Sequence, residues 1–136
     1  MKTKLQAVEL VQRQMMLGSL LKAIRNEQGG MQIDYALKLG YVKPTFLSNV
    51  EKGTSSIPQA KIIDYAKLYL PEEKEKLATA IIYFTLPELW EVIASSVPSL
   101  LGSNKTTDDM TSAIDEWLNE KFRRYNISAE PYMTAA

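Results

Sequence analysis

Apolar residues recur along most of this chain at intervals of two to four, the spacing that lines one face of an α-helix, and no segment sustains the strict alternation of a half-buried strand. Leu5, Val8, Val11, Met15, Leu17, Leu21 and Ile24 predict a helix over 4–28, with Gly18 as a candidate break and Gly29 and Gly30 as its stop. The pattern restarts over 31–39, where Tyr35, Ala36 and Leu39 share a face and Gly40 ends the element. Pro44 suits the first position of the next helix, because its missing N–H costs nothing there; that helix reaches about Glu51 and stops at Gly53. Pro58 opens 59–70 in the same way, with Ile62, Ile63, Ala66 and Leu70 as the apolar stripe. Counting the break at Gly18, five helical segments precede residue 71.

Beyond Pro71, Glu72, Glu73 and Glu75 place negative charge where a helix N-terminus favours it, and 77–84 supplies apolar surface. Pro87 punctuates before Leu89, Trp90, Val92, Ile93 and Val97 continue at helical spacing. Residues 102–105 are the most linker-like. Thr106 with Asp109 has the form of a capping box, and Met110, Ile114, Trp117, Leu118 and Phe122 make a stripe ending near Tyr125. The expected fold class is all-α, with residues 126–136 as a flexible tail.

A chain of 136 residues, 46% of them hydrophobic, can bury one core plus an accessory segment but not two full-sized domains. Cysteine and histidine are both absent, which excludes disulfides, thiolate and imidazole zinc sites, and Ser-His or Cys-His catalysis. No cofactor or metal is expected. The apolar run 77–86 is about half of the roughly 20 residues that cross a bilayer, and the start of the chain has no signal-peptide cleavage pattern, so a soluble cytoplasmic protein with no membrane partner is expected. The formal charge is zero, yet it is polarised: residues 1–60 hold eight Lys/Arg against four Asp/Glu, and residues 61–136 hold eight against twelve. A basic front suits contact with phosphates, although a solvated acidic back gives the same sums.

Two short helices joined by a tight turn, the second opening with polar residues, are what a major groove of about 12 Å accepts. The chain reads LGSLLKAIR over 17–25, QIDYALKLG over 32–40, PTFLSNVEKG over 44–53 and IPQAKIIDYAKLYL over 57–70. In these residues it resembles the phage-repressor/XRE helix-turn-helix family. The likeness rests on Arg25, Gln32 seven residues later, Ala36 with Gly40, and Glu51 with Gly53. It implies a five-helix lambda-repressor-like domain over 17–70, flanked by an N-terminal helical extension over 1–16 and a C-terminal helical segment over 71–125.

The resemblance also implies roles. Thr45, Phe46 and Asn49 match positions that face base edges, and Pro44 stands where the family often reads a base; Phe46 can equally be core. Gln32, Lys43, Lys52 and Ser48 are candidates for phosphate contact, with solvated polar side chains as the plainer alternative. Arg25 and Glu51 match a pair that ties the first helix to the end of the recognition helix. The turn over 40–44 is one residue longer than usual, and Gly30 and Met31 replace the family's apolar residue and capping Ser/Thr.

Outside the resemblance, the aromatic content of 71–125 suggests an interface. Trp90, Trp117, Phe122 and Leu118 are the expected anchors of a homodimer, the alternative being that they cap the core of their own chain. The expected function is a sequence-specific transcriptional regulator, a repressor that reads a pseudo-palindromic operator in double-stranded DNA as a homodimer. An antitoxin that sequesters a protein partner with its C-terminal helices is the alternative. An enzyme using Asp108, Asp109, Asp115 and Glu116 around magnesium is disfavoured, because dipole and capping effects explain acids at a helix start.

Overall fold

The computed structural model describes residues 4–100, 102 and 104–128, the side chains of 99 and 100 excepted. Among these residues there are seven α-helices and no strand: α1 (Leu10–Glu27), α2 (Gln32–Lys38), α3 (Thr45–Lys52), α4 (Ile62–Tyr69), α5 (Lys74–Thr85), α6 (Pro87–Leu100) and α7 (Thr107–Arg124). Short 3-10 turns over Gln59–Lys61 and Pro71–Glu73 lead into α4 and α5.

The first helix begins later than the apolar spacing predicts. Leu5 and Val8 are buried, but they sit in a turn-forming arm that leads into α1. Arg13 holds this arm, donating from Nε to the Val8 carbonyl at 2.7 Å and from Nη2 to the Gln6 carbonyl at 2.7 Å. Carbonyls satisfied by a guanidinium need no helical partner, so the chain can leave the helix and still bury its apolar residues. From Leu10 onward α1 runs unbroken across both the border at 16/17 and Gly18. Four α-helices therefore precede residue 71, and α5 makes the fifth.

Gly18 is a contact residue, not a break. A Cβ there would overlap the carbonyl oxygens of Val50 and Glu51, so glycine is what lets α1 lie directly against α3. Gly53 serves the same approach from the other side: its φ of 80° ends α3 in the left-handed region, and a Cβ would strike the Met15 backbone. The Thr54 amide then bonds the Asn49 carbonyl at 2.9 Å and the Gly53 amide bonds that of Val50 at 3.0 Å, closing the helix with a Schellman pattern.

At the other end of the chain, Thr106 and Asp109 form the reciprocal capping box at the start of α7. Asn126, at φ 59°, closes it, with the Ile127 amide on the Phe122 carbonyl at 2.7 Å and the Ile127 side chain packed on the core. Asn126 and Ile127, at the start of the expected tail, thus form the cap of α7; residues 129–136 lie outside the described residues.

Helix α5 is central, packing against α1, α4, α6 and α7, and buries Leu77, Ala78, Ala80, Ile81, Tyr83 and Phe84. One continuous core runs from Leu5 to Phe122. It absorbs the residues expected to anchor a dimer: Trp90 is 2% exposed, Trp117 9%, Leu118 0% and Phe122 3%. Both indoles are also satisfied within the chain, Trp90 Nε1 donating to Thr111 Oγ1 at 3.1 Å and Trp117 Nε1 to Glu73 Oε2 at 3.0 Å. The expectation fails because it treated 71–125 as packing alone, whereas α5 gives these side chains a shared wall with α1, including Phe122 on Phe84 at 5.9 Å.

Candidate nucleic-acid interface

Helix α3 is amphipathic in a way that fixes its orientation. Leu47, Val50 and Glu51 face inward, while Thr45 and Lys52 are exposed and Ser48 and Asn49 half-buried on the outer side. Pro44 takes the N-cap position at φ −74°, and its carbonyl accepts from the Ser48 amide at 2.8 Å. Its ring offers no donor, so any contribution to base reading is one of shape.

The inward end of α3 is held by a buried ion pair. Arg25 donates to both oxygens of Glu51, Nε to Oε2 at 2.9 Å and Nη2 to Oε1 at 2.8 Å, and its Nη1 reaches the Gly30 carbonyl at 3.0 Å. Two further donors complete the carboxylate: Gln32 Nε2 on Oε1 at 3.0 Å and the Tyr69 hydroxyl on Oε2 at 2.9 Å. The bonds to Glu51 raise the Arg25 pKa above its ordinary value against the opposing effect of burial. Burial, reinforced by the Glu51 charge, pushes the Tyr69 phenol well up, so it remains a donor at any physiological pH. Helices α1, α2, α3 and α4 are thereby joined at one carboxylate.

Gln32 accordingly braces the ion pair with its side-chain amide. Tyr69 was missed at the level of sequence. The signal was there: a buried carboxylate opposite a single arginine has lone pairs left over, and a tyrosine on a neighbouring buried helix face is a natural donor.

The turn between α2 and α3 is pinned from behind by α4 and the 3-10 turn before it. Lys61 Nζ donates to the Leu39 carbonyl at 2.6 Å, and the hydroxyls of Tyr41 and Tyr65 bond at 2.9 Å. Two concavities flank the exposed side of α3. Met15, Ser19, Lys22, Gln32, Ser48 and Lys52 line one, over the ion pair; Tyr41, Val42, Lys43, Thr45, Phe46 and Asn49 line the other. Phe46 is half-buried, its ring 5.0 Å from that of Tyr41, so it is both core edge and surface. The solvent-facing cations here are Lys22, Lys43 and Lys52, while the Glu51 charge is neutralised by Arg25.

Residues 21–69 match a family model described as helix-turn-helix. This segment is a helix-turn-helix domain of the XRE family. The family is one of DNA-binding regulatory domains, not of enzymes, and its fold is the lambda-repressor-like all-α arrangement seen here. No curated protein and no solved structure matches the chain. Within the helix-turn-helix domain α2 and α3 occupy the places that the motif gives to its supporting helix and its recognition helix.

The acidic residues considered for magnesium are dispersed. Asp109 is spent on the capping box, and Asp115 lies buried in the middle of α7, accepting from the Tyr83 hydroxyl at 2.6 Å. Among the described residues no group of three or more acids, His or Cys is arranged to hold a metal, and no helix is long and apolar enough to cross a membrane.

Proposed function

We propose that the chain is a sequence-specific transcriptional regulator, a repressor that binds a pseudo-palindromic operator as a homodimer. The observation that carries this reading is the mounting of α3: glycine contacts and a four-donor carboxylate fix it from inside, and its outer side presents Thr45, Ser48, Asn49 and Lys52. A helix whose angle is set independently of ligand can enter a groove without paying for its own ordering.

In this reading Asn49 pairs with adenine, Thr45 and Phe46 meet base edges and Pro44 shapes the helix start. Lys43, Lys52 and Ser48, joined by Lys22, contact phosphates, and Gln32 keeps a second amide hydrogen for the same purpose. Self-association is supported by surface that remains after the indoles are accounted for. Leu89, Val92 and Val97 are exposed along α6, on the side of the molecule built from 71–125. A second copy placed there lets two recognition helices meet successive turns of DNA, about 34 Å apart.

Selection of bound duplexes from a random pool tests the whole reading. The expected product is a motif of two inverted half-sites, with a dimeric mass for the free protein in solution. A single unrepeated half-site overturns the homodimer, and a pool that stays random at low salt overturns sequence-specific binding.

A further inference from the structure

We propose that the apolar cup walled by Val42, Tyr41 and Phe46, beside the recognition helix, receives the 5-methyl group of a thymine and so selects a T·A pair next to the base read by Asn49. The inference rests on the DNA-binding reading and adds to it a residue of the turn, outside the recognition helix.

Val42 is 86% exposed, the most exposed large apolar side chain among the described residues. Exposure of one valine is ordinary by itself. What gives it meaning is the company it keeps: Val42 lines a concavity of about 380 Å³ with Tyr41, Phe46, Lys43, Thr45 and Asn49. The floor is fixed before any ligand arrives. Phe46 packs on Tyr41 at 5.0 Å, and Tyr41 is anchored through its hydroxyl to Tyr65 on α4 at 2.9 Å. The rim carries a cation, Lys43, and an amide, Asn49, which suit a phosphate and a base edge respectively.

Of the groups that line a major groove, the thymine methyl is the apolar one. The purine N7 and O6 acceptors and the amino groups of adenine and cytosine would lose water against Val42 and Phe46 without gaining a partner. The cup therefore favours thymine by burial and disfavours the other bases by desolvation. Its place between Lys43 and Asn49 makes it continuous with the surface proposed to meet DNA.

The test replaces each thymine of a selected duplex by deoxyuridine, which removes the methyl and leaves pairing intact. For the wild-type protein the expected result is a loss of about fourfold at one position per half-site, the worth of one buried methyl, and near-equal affinity elsewhere. Val42→Ser, whose fold is checked by circular dichroism and melting, should bring the thymine/deoxyuridine ratio at that position close to one. Lys43→Ala should weaken both duplexes and leave the ratio as it was.

Wild-type protein that binds the selected duplex but is indifferent to deoxyuridine at every position overturns the cup alone, and leaves this surface for a protein partner. A ratio unchanged in Val42→Ser overturns the assignment to Val42. Failure to retain any duplex at low salt removes the DNA-binding reading, and the thymine assignment goes with it.

Discussion

Among the described residues two carboxylates are buried, Glu51 in α3 and Asp115 in α7, and they are treated differently. Glu51, beneath the recognition helix, has four donors on its two oxygens. Asp115, in α7, has the Tyr83 hydroxyl on one oxygen and no hydrogen-bond partner on the other among the described residues. Burying a charge costs several kcal/mol unless its lone pairs are filled, so the full set around Glu51 marks a place where geometry is held firmly. The back of the molecule relies instead on aromatic packing, a chain of ring contacts running from Trp90 through Tyr83 and Phe84 to Phe122. Position is enforced where a side chain must meet something outside the chain, and bulk is enough where it need not.

The largest effect expected from this contrast is at Glu51. Glu51→Ala leaves Arg25 buried with the Gly30 carbonyl as its remaining partner and strands Gln32 and Tyr69, for a loss of about 3–5 kcal/mol in urea unfolding. A loss under about 1 kcal/mol would mean that the recognition helix is held by packing alone. Gly18→Ala comes next. The added methyl meets backbone oxygen of α3, which cannot rotate away as a side chain would, and overpacking of this kind costs about 1–3 kcal/mol. It should also blur sequence preference, since α3 must tilt to make room. An alanine variant with unchanged melting and unchanged selectivity would show that the α1–α3 contact does not set the helix angle.

These two positions also show how far the chain could be read without coordinates. The helices of the DNA-binding domain were legible because each carries a strong apolar stripe and ends at a glycine or proline. Arg25 and Glu51 were legible through a family pattern, although Gln32 and Tyr69 as their companions were not, because hydrogen bonds between distant segments leave no local spacing. Gly18 was misread for a related reason: in one dimension a glycine within a helix looks like an interruption, and its function is to be small against a helix 32 residues further on. The indoles were misplaced because composition counts apolar area without saying which wall covers it. That wall is α5, whose buried side spans Leu77 to Phe84. Leu5 and Val8 belong to the same class, since a spacing of three fits a turn pinned by Arg13 as well as it fits a helix.

On DNA, the comparison becomes one between residues that read and residues that hold. Asn49→Ala should cost about 1–3 kcal/mol on the selected site and little on random duplex, whereas Lys43→Ala should weaken both alike and reduce the salt slope by about one unit. Equal loss on both duplexes for Asn49→Ala would remove it from the base-reading set. Back at the second carboxylate, Asp115→Asn keeps an acceptor for Tyr83 and discharges a poorly solvated group, so unfolding should change by less than about 1 kcal/mol in either direction. A cost near that of Glu51→Ala would show that the Arg13 guanidinium, whose pKa is lowered chiefly by burial and raised in opposition by the nearby Asp115 carboxylate, compensates Asp115 as fully as Arg25 compensates Glu51.

The smallest effect concerns a carboxylate at the surface. Glu73 accepts from Trp117 Nε1 and pairs with Lys121 Nζ at 3.0 Å, joining the turn before α5 to α7. Partial burial alone would raise its pKa, but the bonds from Lys121 and Trp117 outweigh that and hold it below the ordinary glutamate value. A carboxyl whose folded pKa is depressed contributes stability that is fully present above its unfolded pKa of about 4.3 and is lost as pH falls through the lower folded value. Wild type should therefore lose stability relative to Glu73→Gln as pH drops from about 5 toward 3. The difference should stay within the range of up to about 1 kcal/mol found for exposed pairs, because the Glu73 side chain is 37% exposed and salt screens it. Parallel unfolding curves for the two proteins across that window would mean that the contact contributes through the indole and the methylene stems, not through charge.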